Sequence, residues 1–354
     1  MTRIKRLVFG LMATLFCVFL FFTLAGMLAP YVPVPWWPAL QLLPAATPVL
    51  ALFLLMFLVY FLRQRKALWF SLALLALMGA GWVLSQEVRP PLNSRGEGED
   101  LRVISYNVAT FRYEANQAQR IATFLRSQRP DVITLQEFRN QDMGNGQKAV
   151  EFLSRALEMP YYRFEHLPEH RHGAVIFSRY PITSVDTLFM PLREINTGII
   201  ATLETPQGPL GVGNIHLSSY QVSKLLEDKR DAIENRWDVM QLLYQRTLEV
   251  LPLQQDKVDQ ILAGADQYPH PLILTGDFNA VPHSRIVHQF SRRYTDSFIA
   301  SGGWLGWTYP LLGPWGLRID YQFASEEVQP LRHRVLHSRE SDHYPIEVYY
   351  RLAR

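Results

Sequence analysis

Cysteine is almost absent: the 354 residues contain one, Cys17. No internal disulfide can form, so the fold rests on its packed core. Charge is missing from a whole region. Between Arg6 and Arg63 there is no Asp, Glu, Lys or Arg, and a second uncharged run extends from Ala67 to Gln86. No water-soluble fold avoids charge over such a length. Internal repeats and low-complexity tracts are also missing. A hydrophobic share of 48% excludes a disordered or collagenous chain. The mean hydropathy near zero is therefore an average over two unlike halves.

The net charge of +3 is composite as well. Arg3, Lys5, Arg6, Arg63, Arg65, Lys66 and Arg89 against Glu87 give +6 for the first 90 residues and leave −3 for the rest. A bilayer core of ~30 Å takes about 20 helical residues, so the first uncharged run is too long for one crossing. It breaks at Pro30-Tyr31-Val32-Pro33-Val34-Pro35-Trp36-Trp37-Pro38. Proline ends helices there, and Tyr and Trp suit the head-group level. Three transmembrane helices are expected, at about 7–29, 40–62 and 67–84, with Pro44 and Pro48 near the start of the second. The first apolar stretch exceeds the about 7–15 residues of a signal-peptide core, so a retained helix is expected.

Basic residues flank the first span and fill the loop Arg63-Gln64-Arg65-Lys66, while the loop between spans one and two carries no charge. The positive-inside rule then puts the N-terminus in the cytoplasm. Everything after Leu84 falls outside it, in the periplasm or cell exterior of a bacterial chain. The expected organisation is a membrane anchor over 1–88, a Pro- and Gly-containing linker over 89–100, and a globular domain over 101–354.

In the globular part, strand-like runs fall at 101–108, 132–136, 174–177, 199–203, 211–217, 272–274, 319–323 and 346–350. Helical patterns fall at 115–128, 147–157, 222–251 and 254–265. This alternation predicts an α/β sandwich of layered sheets. Leu225, Leu226, Ile233, Trp237, Met240, Tyr244, Leu248 and Leu251 form a stripe expected to face the core, with docking on a membrane as the alternative.

Polar residues recur just past the ends of the apolar runs. They are Asn107, Glu137, His216, Asp277, Asn279, Asp320, Asp342 and His343. Strand ends that converge on one sheet edge assemble a site from distant sequence. A set of carboxylates and amides without thiols suits Mg²⁺, Mn²⁺ or Ca²⁺. Hydrolysis of a phosphoester needs a nucleophilic water and relief of charge on phosphoryl and leaving oxygens. A His held by a carboxylate titrates near neutrality and serves proton transfer.

The motifs Ser105-Tyr106-Asn107, Leu135-Gln136-Glu137, Asn214-Ile215-His216-Leu217, Gly276-Asp277-Phe278-Asn279, Arg318-Ile319-Asp320-Tyr321 and Ser341-Asp342-His343 occur in order. With 173–179 they resemble the endonuclease/exonuclease/phosphatase superfamily over roughly 101–352. The resemblance implies a four-layer α/β/β/α sandwich and metal-dependent phosphoester cleavage. It implies Glu137 as principal metal ligand with Asn107 beside it, and Asp342 as a further metal-site or metal-orienting carboxylate. Asp277 would orient or deprotonate water and Asn279 would hold a phosphate oxygen. His343 paired with Asp320 would form a His–carboxylate dyad, and His216 would act on the phosphate or leaving oxygen. Asp277 and His343 both stand as candidate bases. Arg171 and Asn214 are expected on the substrate side, Arg171 with a solvated charge as its alternative.

His216 argues against an abasic-site repair enzyme and for the deoxyribonuclease, sphingomyelinase and inositol-phosphatase branches. The expected partners are the lipid bilayer and a phosphoester substrate, a lipid head group or small phosphoester, with no obligate protein partner. An anchored nuclease is the second expectation. The −3 of the globular half speaks against it, because nucleic-acid binding leaves a basic footprint. The loop 301–315 carries three Trp, suited either to an interface or to packing over the core.

Overall fold

The structure is a computed structural model that describes residues 3–90, 101–111, 116–143, 146–166, 172–190, 196–220, 236–312 and 315–353. Three helices open the chain: α1 (Arg3–Leu28), α2 (Thr47–Arg63) and α3 (Ala67–Leu84). With the turns that flank them, all three are long and apolar enough to cross a membrane. They pack through Phe16, Leu54, Phe57 and Phe61 against the small Ala73, Ala76 and Ala80 of α3. Small residues let helix backbones approach where no hydrophobic drive exists between helices. Leu7, Leu75 and Met78 point outward, more than 60% exposed, as a lipid-facing surface would.

The second span differs from expectation at its start. Residues 38–46 form a 3₁₀ stretch, and the α-helix begins at Thr47. Pro44 lies inside that stretch, where its missing N–H and its ring would break an α-helical ladder.

Two six-stranded mixed sheets build the globular part. One runs β15 (Val328–Val335), β16 (Ile346–Leu352), β2 (Leu101–Asn107), β3 (Val132–Arg139), β5 (His172–Ser178), β4 (Tyr161–His166). The other runs β10 (Thr295–Asp296), β14 (Asp320–Ala324), β9 (Leu272–Asp277), β8 (Gly208–His216), β7 (Gly198–Thr205), β6 (Ile182–Phe189). Residues alternate between faces with a period of two. Val103, Val132, Ile176, Val212, Ile273 and Val348 meet in the seam between the sheets. Ile104, Tyr106, Ile133 and Phe177 face α4 (Gln117–Ser127) and α5 (Ala149–Leu157) instead. Leu274, Ile215 and Phe323 face α6 (Arg236–Asp266) and α7 (Arg285–Ser291). Both faces of each sheet are covered, which gives the expected four layers, and the central strands read as near-continuous apolar runs.

Sequence periodicity passes over β4, β6 and β15. The first two are edge strands with largely exposed side chains. In β15, Pro330 and a register shift before Arg332 interrupt the pattern. The expected long helical region between β8 and β9 is one helix where it is described, and α6 passes through Pro252. On α6 the expected core stripe holds only in part. Leu251 is buried, whereas Trp237, Tyr244 and Leu248 are exposed. Leu225, Leu226 and Ile233 lie outside the described residues, as does most of the expected linker. Its beginning is a short strand, β1 (Val88–Arg89), paired with β11 (Trp304–Leu305).

Polar side chains also bind the sheets across their seam. Thr134 and Thr275 meet hydroxyl to hydroxyl at 2.7 Å. Asn214, expected beside the substrate, sits here. It is fully buried, donates to the carbonyls of Leu135 and Val175 at 2.9 Å each, and accepts from Gln136 Nε2 at 2.8 Å. Its amide faces the opposite sheet, so it braces the sandwich behind the site. Asn214→Ala should lower unfolding stability by about 3 kcal/mol, since it strands two carbonyls and an amide in the seam. Denaturant unfolding of the variant within about 0.5 kcal/mol of the parent would remove this role.

Candidate active site

The chain's chemistry-bearing residues collect at one edge, where five strands of the two sheets meet. β8 and β9 run parallel with His216 in register with Asp277. β14 runs antiparallel to β9 with Asp320 opposite Asp277. One carboxylate is thereby flanked by a histidine on one side and a second carboxylate on the other. Gly276 makes the close approach possible. It adopts φ +140°, and a Cβ there would lie 1.8 Å from the Ile215 carbonyl oxygen.

β2 and β3 bring their ends to the same edge from the other sheet. Glu137 lies where the pairing of β3 with β5 shifts register between Leu135 and Phe138, and it adopts φ +50°. The bulge re-aims its carboxylate away from the ladder. Asn279 also takes a left-handed conformation, φ +48°. Such backbone strain in non-glycine residues clusters at functional sites.

Asp277 is the hub. Its Oδ2 accepts from Asn107 Nδ2 at 3.0 Å, and its Oδ1 accepts the Asn279 N–H at 2.9 Å. Asn107 Nδ2 also reaches Glu137 Oε1 at 3.3 Å. His216 Nε2 lies 3.8 Å from both Glu137 Oε1 and Asp277 Oδ2. His343 Nδ1 lies 3.0 Å from Asp320 Oδ2, and its Nε2 3.7 Å from Asp277 Oδ2. The structure thus brings together Asn107, Glu137, His216, Asp277, Asn279, Asp320 and His343.

Asp342 stands at the margin, partly exposed, with its carboxylate 3.2 Å from Ser341 Oγ. It acts on the site through its charge, raising the pKa of His343. Arg171 lies outside the described residues.

Burial and charge set the protonation states. Burial pushes the Asp277 carboxyl up to about 7, against the pull of His343 and the Asn107 and Asn279 hydrogen bonds. For His343 burial acts downward, but the carboxylates of Asp320, Asp277 and Asp342 outweigh it and raise it to about 10. Burial lowers His216, with Glu137 opposing. Near pH 7, His343 is a cation, His216 is neutral, and Asp277 sits near its midpoint.

Neither ring nitrogen of His216 has a hydrogen-bond partner among the described residues, although the side chain is only 2% exposed. A buried polar group left open in this way points to an outside partner. The donor set also fits a hard cation. The carboxylates of Glu137 and Asp277 converge on Asn107 Nδ2 and set hard oxygen donors side by side. Asp277, Asp320 and His343 offer a second grouping of potential ligand atoms, all within 4.8 Å. Asp320 and His343 already face one another in that group, so the Glu137–Asn107 side fits the ion better.

Several supporting residues escape sequence reasoning. Thr308 Oγ1 accepts the N–H groups of Ile319 and Asp320 at 3.2 Å each. Tyr309 packs edge-on against His343, ring centroids 5.0 Å apart. Ser341 Oγ donates to the Asn107 carbonyl at 2.7 Å. Only the Trp-rich composition around Thr308 and Tyr309 sets that segment apart in the sequence. Arg318, inside a recognised motif, is 1% exposed, paired with Asp296, and stacked 4.5 Å from the Tyr321 ring centroid. It is a structural cation.

The family model for the endonuclease/exonuclease/phosphatase family matches residues 104–343. The chain belongs to that family. The match includes every residue of the cluster, and it makes the enzyme a phosphoester hydrolase. Among curated proteins no relative matches the chain. Solved structures share the fold at low identity. A family member from Beutenbergia cavernae has 20% identity and a TM-score of 0.50, with 72% of each chain covered. Humanised D. rerio TDP2 has 17% identity and a TM-score of 0.53, covering 71% of this chain and 98% of its own. A Bacteroides vulgatus member has 14% identity and a TM-score of 0.51, covering 72% of this chain and all of its own.

The dyad gives a pH prediction with a definite sign. Because folding raises the His343 pKa, its stabilising contribution is complete below the ordinary 6.5 and is lost as pH rises through about 10. Asp320→Asn removes the largest upward cause, so the imidazole should titrate well below about 10 and the loss should move to lower pH. NMR titration of the His343 ring checks this, and an unchanged titration would refute the dyad.

Proposed function

We propose that the chain is a membrane-anchored, divalent-metal-dependent phosphoesterase acting outside the cytoplasm on a lipid head group or another small phosphoester. The observation that carries the reading is the convergence of Glu137, Asn107 and Asp277 beside two buried histidines, one with both ring nitrogens open.

Glu137, with Asn107 beside it, would hold Mg²⁺, Mn²⁺ or Ca²⁺, and Asp342 would act on the site through its charge. When bound, such an ion neutralises charge on the phosphoryl oxygens. The chain's own groups supply the rest. With His343 already charged, Asp277 is the group that takes a proton from the attacking water. The Asp320-held His343 cation steadies negative charge that builds on phosphorus. His216 offers its open nitrogen to the phosphoryl or leaving oxygen. Asn279 uses one amide hydrogen on the Leu217 carbonyl at 3.1 Å, leaving the other for a phosphate oxygen.

The packing agrees with the outward orientation that the positive-inside rule gives. Contacts between the helices and the globular part involve residues next to the 29–46 and 85–90 connections. Met27 and Pro30 meet His283 and Arg285, and Gln86 and Glu87 meet Arg318 and Trp307. The basic loop Arg63–Lys66 lies at the other ends of α2 and α3. A nuclease is the alternative. The D. rerio TDP2 fold has been solved with a single-strand DNA product, but the globular half here lacks a basic surplus.

The full chain in detergent should hydrolyse bis(p-nitrophenyl) phosphate with Mg²⁺ or Mn²⁺ and stop with chelator. Glu137→Ala or Asp277→Asn should lower turnover about 100-fold or more, and the parent rate should climb as pH rises through about 7. Undiminished activity in either variant would remove the mechanism. For orientation, a phosphatase reporter fused after Arg354 should be active only when exported, and a reporter active only in the cytoplasm would reverse the topology.

A further inference from the structure

Two apolar features frame the active-site edge, and the chemistry above uses neither. The first is made of the described stretches 304–312 and 315–317. Through β11 it pairs with β1, Trp304 opposite Arg89 and Leu305 opposite Val88. Those partners follow closely on Leu84, the last residue of α3. Trp304 is 71% exposed, Leu305 47% and Trp315 44%. The same short segment carries Thr308, which holds the start of β14 at Asp320, and Tyr309, which packs on His343. One stretch of chain therefore links the end of a membrane helix to the dyad.

The second feature is the N-terminal half of α6. Gln254 Nε2 donates to the carbonyls of Ser218, at 2.6 Å, and Asn279, at 3.3 Å, just past the ends of β8 and β9. Tyr268, just after α6, packs near Gly211, at the other end of β8. The helix thus runs antiparallel to the strands. Before Gln254 the helix stays on this edge: Thr247, Val250 and Leu251 are buried, and Arg246 Nε donates to the Tyr220 carbonyl at 3.2 Å. Tyr244 and Leu248 are exposed on the opposite side of this stretch.

The membrane helices meet the same edge. His283 Nε2 lies 3.2 Å from the Met27 carbonyl, and its ring packs on Trp82. His283 follows Asn279 closely, as Arg318 precedes Asp320. Large aromatic side chains left bare beside three apolar helices match the head-group layer, where Trp and Tyr settle with one end apolar and one end wet.

We propose that the active-site edge faces the head-group layer of the bilayer, with Trp304 and Trp315 seated in it, and that the substrate is a phosphoester borne by a lipid of that leaflet. This rests on the phosphoesterase reading of the Asp277–His343 site. A lipid phosphate lies in the head-group layer itself, so it meets the site by lateral diffusion. A nucleic acid would have to enter between the domain and an anionic surface.

The test uses the full chain with Cys17→Ser, reconstituted in phosphatidylethanolamine–phosphatidylglycerol vesicles. Nitroxide labels are placed through Trp304→Cys, Trp315→Cys and, at the far turn between β7 and β8, Gln207→Cys. Labels at 304 and 315 should collide with oxygen and be shielded from a water-soluble nickel chelate, while the label at 207 should not be shielded. In parallel, the unlabelled chain is given vesicles carrying phosphatidic acid, phosphatidylinositol, phosphatidylglycerol or sphingomyelin, beside soluble bis(p-nitrophenyl) phosphate and single-stranded DNA. Release from at least one lipid is expected. Trp304→Ser with Trp315→Ser should lower the ratio of vesicle to soluble turnover about tenfold.

Labels at 304 and 315 open to the chelate overturn the docking. Hydrolysis of soluble diester or DNA with none of the lipids cleaved overturns the lipid substrate, while the phosphoesterase reading stands. Failure on every phosphoester would instead sink that underlying reading.

Discussion

The active edge is organised around one buried carboxylate. Asp277 sits at the end of β9, 1% exposed, where an unaccompanied charge would be strongly disfavoured. The surrounding structure meets that demand. An amide from the facing sheet donates to one oxygen, a backbone N–H two residues on donates to the other, and a charged imidazole stands beyond. These compensations come from both sheets, so the sandwich must close before the carboxylate is satisfied. Gly276 is the local condition for this, since any side chain there would collide with β8. The same arrangement that makes Asp277 tolerable leaves it near its midpoint at neutral pH, ready to hold or release a proton.

Much of this was readable in the sequence, for reasons specific to each element. Strands buried on both faces give apolar runs that cannot hide, and β2, β3, β8 and β9 are of that kind. The site residues follow directly after those runs, so their convergence could be inferred from the fold class. Edge strands are different. β4 and β6 expose polar side chains and pair along one side only, so nothing in their composition marks them. Asn214 shows a subtler limit. It lies two residues before His216 and shares its motif, yet the period of two gives it no special fate. Whether an amide at a strand end turns to the solvent edge or to the seam depends on the partner sheet. Here Gln136, Leu135 and Val175 supply partners that no local pattern specifies.

The membrane region was legible from missing charge, but its relation to the enzyme was not. The uncharged loop between α1 and α2 reads as a spacer. In the structure Gln41 donates to the Ala29 and Val32 carbonyls and accepts the backbone N–H of Arg285 at 2.8 Å. Glu87, buried and raised in pKa by that burial, receives the Trp307 indole N–H at 3.0 Å. The contacts to Arg285 and Trp307 join groups more than two hundred residues apart. Together they make the anchor a wall of the catalytic domain.

Val34 carries the furthest consequence. This residue of the connection between the first two helices is 1% exposed and belongs to the same apolar cluster as Ile215, Leu251, Phe278 and Tyr321. A chain stripped of its first 90 residues would open that cluster to water beside the strand ends that bear His216 and Asp277. The globular half completes its interior with a residue from the connection between α1 and α2. A domain cut off from the helical connection therefore lacks a part of its own core.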